Sequence, residues 1–197
     1  NELQDALLKA EDEKIEKSRE LVTYLSSLDP EMTDFQTMKD EHYFPSRVTH
    51  NDTKVNNLLF DGNNHPLCMI DLDTVMPGIV HYDFGDAARS CCNTAGEETT
   101  NLNLVYFNIE YFKAFCTGFM EKTKHLLTRK EKETLGFSCK LMTYLQAIRF
   151  LTDYLQGDLY YPVTYTDQNL QRTRVQVKLL KDITKQADRI SRFILEN

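Results

Sequence analysis

From Val105 onward the apolar residues recur at steps of three and four, and this spacing constrains the chain more than any other feature. Val105, Ile109, Phe112, Cys116 and Phe119 form one stripe, the periodicity of a helix with one buried face. Thr128-x-x-Glu131 is a capping box opening another helix, whose stripe runs Leu141, Leu145, Ile148, Leu151 and Leu155 and stops at Gly157. A final helix follows Asp167, with Val177, Leu180, Ile183, Ala187, Ile190 and Ile194 on one side. At the other end, residues 2–28 read as one long helix: Leu3, Leu7 and Ala10 share a face, Glu11 to Glu20 is a charged, solvated run, and Leu21, Leu25 and Leu28 resume the spacing. Asp29-Pro30 stops it. The predicted fold class is mainly α, and 197 residues suit one compact domain.

Between the helical regions the pattern changes. Leu58-Leu59-Phe60 and Leu67-Cys68-Met69-Ile70 flank Asp61-Gly62-Asn63-Asn64-His65-Pro66, turn chemistry between two short apolar runs, which predicts a β-hairpin. Its midpoint lies midway between Asn57 and Asp71, so the hairpin is expected to bring these two together at its open end. Just before it, residues 49–57 form an unusually polar loop, Thr-His-Asn-Asp-Thr-Lys-Val-Asn-Asn. The hairpin makes the class α+β in a minor way.

Composition excludes several functions. With 23 basic against 30 acidic side chains the net charge is −7, and without a Lys/Arg cluster to neutralise phosphates, nucleic acid is not an expected partner. No apolar stretch reaches the length of a membrane span; no membrane partner is expected, and the chain reads as cytoplasmic. The five cysteines lack Cys-x-x-Cys spacing and the five histidines lack the i, i+4 spacing of a helical metal pair, so reduced thiols and no zinc site are expected. Asp71-x-Asp73 begins like an EF-hand loop, but Met76 stands where glycine is required and Tyr82 where glutamate is. The seven glycines are too far apart to form a phosphate-cradling loop. The chain opens at Asn1 directly in a helical pattern, and an upstream portion is expected.

Phosphoryl transfer from ATP needs a carboxylate to orient or deprotonate the acceptor hydroxyl and oxygen ligands for Mg²⁺. His50-x-Asp52-x4-Asn57, a hairpin and Ile70-Asp71 supply those parts in order. An Asn amide and an Asp carboxylate on adjacent backbone suit a hard cation. His50 reads as structural, packing or hydrogen-bonding beneath the loop.

This arrangement resembles the catalytic and metal loops of the aminoglycoside phosphotransferase and choline kinase family, which has a protein-kinase-like fold. More closely, His50 to Asn57, Ile70 to Gly78 and Tyr82-Asp83-Phe84-Gly85-Asp86 are similar to the N-acetylhexosamine 1-kinases, and Arg149 to Leu155 and Gly157-Asp158-x-Tyr160 extend the likeness. The resemblance spans about residues 45–195. It implies that residues 1–197 are the C-terminal lobe, which carries the catalytic loop and binds the acceptor, with helices around a small hairpin. The family's N-terminal nucleotide lobe has no counterpart in these residues, and the resemblance implies that the chain's own N-terminal lobe is missing here.

Carried over, the resemblance implies Asp52 as catalytic base and Asn57 and Asp71 as magnesium ligands contacting the nucleotide. Lys54 would touch the transferred phosphate, and Asp83 would be a buried aspartate holding the loop's backbone. Asp83-Phe84-Gly85 spells the protein-kinase metal motif, yet lies too far beyond Asp52; Asp71 has the right separation. For a sugar acceptor the candidates are Arg149 and Tyr160, followed by Asp73, Arg89 and Asp153. From the residues alone, Arg149 and Asp153 at i, i+4 read as a surface ion pair. The expected reaction delivers the γ-phosphoryl group of ATP, with Mg²⁺, to the anomeric hydroxyl of a small-molecule sugar, an N-acetylhexosamine. The rivals are choline or an aminoglycoside as acceptor, and a catalytically silent binding lobe. Residues 1–197 alone are expected to bind ATP weakly and turn over negligibly.

Overall fold

The computed structural model describes residues 2–197. Proline sets the first departure from the predicted elements. Pro30 opens a helix instead of ending the chain's helical start: α3 (Asp29–Asp40) begins there and buries Met32 and Phe35. Proline is tolerated in a first turn because its missing N–H has no intrahelical partner. The predicted helix over 2–28 is also two helices, α1 (Glu2–Leu7) and α2 (Asp12–Ser26), separated by an extended Glu11. Within the charged run Ser18 is buried, its hydroxyl bonded to the carbonyls of its own helix, and the charged side chains are half-buried or exposed.

Four short strands follow. β1 (Arg47–Thr49) pairs antiparallel with β4 (Met76–Gly78), with Thr49 opposite Met76. Inside that pair lies the hairpin of β2 (Leu58–Phe60) and β3 (Pro66–Met69), with Leu58 opposite Met69. The rest is helical: α4 (Val80–Cys91), α5 (Ile109–Thr123), α6 (Arg129–Leu135), α7 (Phe137–Gln156) and α8 (Gln168–Glu196). The fold is mostly helical with two small sheets, compatible with the C-terminal lobe of a protein-kinase-like fold. Among the described residues no helix is long and apolar enough to cross a membrane.

The helical stripes need three corrections. Val105 precedes α5 although it is buried. The capping box is formed by Thr128 and Glu131, but it opens only α6. A Cβ at Gly136 would meet the Ser191 hydroxyl and Cα, so α8 passes close at the junction where α6 gives way to α7. Ala187 is exposed.

α8 is buried on two sides. Val177 and Leu180 join a core cluster with Leu25, Phe35, Leu151 and Tyr154. Val175, Leu179 and Ile183 join a second cluster with Phe84, Phe112, Cys116 and Cys139. Each such side chain contributes roughly 1.5–3 kcal/mol when removed from water, so α8 divides the interior and holds both halves. All five cysteines are free; the Sγ atoms of Cys91 and Cys92 lie 3.5 Å apart.

Two long-range features fix β1 and α4. The Glu131 carboxylate, wholly buried, accepts from Arg47 Nε and a terminal guanidinium nitrogen, each at 2.7 Å, while also capping α6. Asp83-Phe84-Gly85 lies in α4: Phe84 is fully buried, and a Cβ on Gly85 would run into the Ser138 carbonyl of α7. This glycine lets two helix backbones approach, which accounts for the triplet without a metal.

His81 is buried between Phe35 and Phe44. Thr134 Oγ1 donates to the Lys130 carbonyl, so it accepts from His81 Nε2–H at 2.8 Å, and the ring is neutral. Burial, opposed by the Glu131 charge, pushes His81 down to about 4. The unfolded chain therefore takes up a proton below about pH 6.5 that the folded chain refuses until about pH 4, and stability falls across that window. Urea unfolding at pH 7 and pH 4.5 is expected to show about 2–3 kcal/mol more loss in the wild type than in His81→Leu. An equal loss in both would contradict a buried neutral His81.

Candidate active site

The polar loop after β1 is held from both sides. On one side is α4: the Asp83 carboxylate accepts from the backbone N–H of His50 at 2.9 Å and of Asn51 at 2.8 Å. The Asp83 carbonyl accepts from Thr53 Oγ1, and Ser90 Oγ accepts from the Val55 amide at 2.9 Å. On the other side is the segment entering β4. Thr74 Oγ1 donates to the His50 carbonyl at 2.6 Å, and Asn51 Nδ2 donates to the Thr74 carbonyl at 3.0 Å. Asn51 and Asp71 both adopt left-handed backbone, φ 63°, which Asn and Asp tolerate better than most residues.

His50 joins these parts through three groups. Besides its amide and carbonyl, its Nε2 lies 3.1 Å from the Ile70 carbonyl. A carbonyl only accepts, so Nε2 carries the proton and the ring bridges the loop to the residue before Asp71. Its other ring nitrogen is buried without a partner among the described residues.

Asp52, Lys54 and Asn57 converge. Asp52 Oδ2 accepts from Lys54 Nζ at 2.7 Å and from Asn57 Nδ2 at 2.9 Å. Burial opposes the Asp52 charge, but the hydrogen bonds from Lys54 and Asn57 outweigh it and hold the carboxyl below its usual range. For Lys54, burial likewise opposes the charge, and the bond to Asp52 with the fields of Asp71 and Asp86 more than offsets it. The loop and the hairpin meet where the Ile70 amide donates to the Asn57 carbonyl at 2.9 Å. Because Asn57 spends its amide N–H on Asp52, its side-chain oxygen remains an acceptor. That oxygen and the exposed Asp71 carboxylate are hard-oxygen donors, the kind that magnesium takes.

Asp52 and Lys54 line a cleft of about 1130 Å³ whose other walls include Arg89, residues 93 and 95–98, Arg149, Phe150, Tyr160 and Arg172. The predicted acceptor residues fare differently there. Arg149 is exposed and Tyr160 is 80% exposed on this cleft. Arg149 has no ion-pair partner among the described residues. The surface pair expected of Arg149 and Asp153 is absent: the buried Asp153 carboxylate accepts from the amides of Leu159, Tyr160 and Tyr161 and from Asn169. Asp153 thus shapes the loop that carries Tyr160. Arg89 reaches the cleft only as part of a buried cluster, bonded to Asp86 and Glu97. Asp73 is exposed and, like Asn57 and Asp71, is not among the residues that line the cleft.

Glu97, Glu98, Gln168, Arg172 and Ser90 were not found by reading the sequence. None carries a local spacing signal, and their partners lie 35 or more residues away in most cases, as with Glu98 and Arg172 at a separation of 74.

Residues 1–111 match the phosphotransferase enzyme family (APH). The match covers more than half of the chain and includes the whole loop, hairpin and α4, and the chain belongs to this family. Arg149, Tyr160 and Arg172 lie beyond the matched residues.

Carboxyl-carbon NMR on Asp52 is expected to show titration below the ordinary value near 3.8, and Lys54→Met is expected to raise it. The ionised form is then favoured by folding, so Asp52 adds stability above about pH 4 that disappears in acid. Titration unchanged by Lys54→Met would contradict the observed contact.

Proposed function

We propose that the chain is the catalytic-loop and acceptor lobe of a small-molecule kinase that phosphorylates the anomeric hydroxyl of an N-acetylhexosamine. The observation that carries this reading is the Asp52 carboxylate, ionised and bonded to Lys54 and Asn57 at the edge of a cleft large enough for a sugar. A carboxylate so held is a weak proton acceptor. Its role is to orient the attacking hydroxyl, with the proton passing late to an Asp52 oxygen as the bond to phosphorus forms. Lys54 neutralises charge on the transferred phosphoryl group. Asn57 and Asp71 would hold Mg²⁺, which when bound with ATP offsets the charge of the phosphates.

The acceptor is argued from charge. Carboxylates on the cleft wall are matched by protein donors: Glu97 by Arg89 and Gln176, Glu98 by Arg172 and Gln168, Asp153 by three amides and Asn169. Glu2, in the first turn of α1, is the exception. A cationic acceptor such as choline or an aminoglycoside would meet the unpaired Arg149 and few available carboxylates. A neutral sugar suits Arg149 as a donor to its oxygens and Tyr160 as a flat apolar surface. The coexistence of Asp52, Asn57 and Asp71 speaks against a silent binding lobe.

The nucleotide lobe is argued from the strands. Val48, Phe60, Leu67 and Met76 are exposed on the short strands and Leu72 on the turn after Asp71, apolar side chains that call for a covering element. A nucleotide-covering lobe seated there would place ATP between itself and Asp71.

ADP release by the full-length protein with ATP and Mg²⁺ is expected with N-acetylglucosamine or N-acetylgalactosamine and to fall by about 10²–10⁴ in Asp52→Asn. Release only with choline or an aminoglycoside would overturn the acceptor and keep the phosphotransferase. Undiminished release in Asp52→Asn would remove Asp52 from the reaction.

A further inference from the structure

Besides α7, the cleft wall draws on two segments with little regular structure, residues 93–99 and residues 157–165, the second through Tyr160 and Tyr161. They belong to distant parts of the chain, yet the first turns of α8 bind both. Arg172 donates through Nε to Glu98 Oε1 at 2.8 Å, with one terminal nitrogen in ion-pair contact with the same oxygen at 2.7 Å, and through its other terminal nitrogen to the Pro162 carbonyl at 3.1 Å. One helical turn earlier, Gln168 repeats the bridge: its Nε2 donates to Glu98 Oε2 at 2.8 Å, and its Oε1 accepts from the Thr164 amide. Gln171 adds a bond to the Thr99 carbonyl at 3.1 Å.

Arg172 is also fixed in itself. Its side chain is only 12% exposed, it donates to Asn169 Oδ1 at 2.7 Å, and its guanidinium lies 5.6 Å from the Phe150 ring. Phe150 in turn packs on Tyr161 at 4.7 Å between ring centroids, and Tyr161 on Tyr160 at 4.8 Å. A planar fork that serves two loops at once specifies geometry in a way that a lysine cannot.

We propose that Arg172 is a positioning residue for the acceptor: with Glu98 it clasps the two loops into one wall, so that the loop bearing Tyr160 and the loop bearing Glu97 and Glu98 keep a fixed separation across the cleft. This rests on the phosphotransferase reading of that cleft. Arg172 does not touch the reacting atoms. It acts through Glu98, the Pro162 carbonyl and the Phe150 and Tyr161 rings. Glu98 is 60% exposed, so its removal is a mild change to the fold and isolates the clasp.

The test uses the full-length protein and two readouts. In steady-state kinetics Arg172→Gln is expected to raise the acceptor KM about tenfold and Glu98→Ala about threefold, the scale of lost polar contacts, with kcat and the KM for ATP within about twofold. Arg172→Lys, which keeps the charge without the fork, is expected to lie between wild type and Arg172→Gln. In amide hydrogen exchange Glu98→Ala is expected to speed exchange in residues 157–165 as well as 93–99, although Glu98 reaches the former only through Gln168 and Arg172. An unchanged acceptor KM, or equal rises in the KM for acceptor and for ATP, overturns the acceptor role. Wild-type exchange across 157–165 in Glu98→Ala overturns the clasp. A wild-type protein that turns over no acceptor, with both loops loosened by Glu98→Ala, removes the phosphotransferase reading and the acceptor role with it while the clasp stands.

Discussion

The Asp83 carboxylate, accepting two consecutive backbone amides, is the contact on which the site depends. The loop over residues 50–54 has no regular hydrogen bonding of its own, and Asn51 is left-handed, so something outside must satisfy its amides. Hydrogen bonds to a charged acceptor contribute roughly 1.5–3 kcal/mol each, enough for one side chain to hold the turn. Asp83 is itself fixed because its neighbours leave no freedom: Phe84 is buried among Phe112, Phe115 and Phe119, and Gly85 lies against the backbone of α7. The position of Asp52 is therefore set by packing between α4 and α7. A carboxylate in the first turn of α4 also complements the helix dipole.

The same helices carry this order to the far wall. α7 presents Arg149 and Phe150, α8 presents Gln168 and Arg172, and Asp153 joins the end of α7 to the turn that follows. The loop that carries Asp52 and the far wall of the cleft are thus two faces of one α4–α7–α8 body, and the loops are attached to it by side chains. Pairing of charges runs throughout. Asp52 with Lys54, Arg89 with Asp86 and Glu97, and Arg172 with Glu98 leave a cleft with little unpaired charge apart from Arg149 and Glu2. Partly exposed pairs add little to stability, and the buried Arg89–Asp86 pair must offset its own desolvation; their effect here is on shape.

Local signals in the sequence led to local structure. The apolar stripes of α5, α7 and α8, the capping box at Thr128, and the turn chemistry between Phe60 and Pro66 each describe something that neighbouring residues decide among themselves. The spacing of Asp52, Asn57 and Asp71 was legible for a similar reason, since one short hairpin closes the distance. What escaped was decided at long range. Whether residues 2–28 form one helix or two depends on what each half packs against. Gly136 ends a helix because α8 lies next to it. Ala187 fits the stripe of α8 and is nevertheless exposed. Asp153 and Arg89 were candidates through the family resemblance alone, and their partners, the amides of 159–161 and the Glu97 carboxylate, could not be read from spacing.

The two amides that Asp83 holds fix the loop that carries Asp52. Residue-resolved hydrogen exchange on the wild type and on Asp83→Asn compares them with amides in the middle of α7 and α8. The expected result is that the His50 and Asn51 amides are protected in the wild type and lose that protection in Asp83→Asn, while the helix amides keep theirs. Amides of His50 and Asn51 that exchange freely in the wild type, or that stay protected without the Asp83 carboxylate, would contradict it.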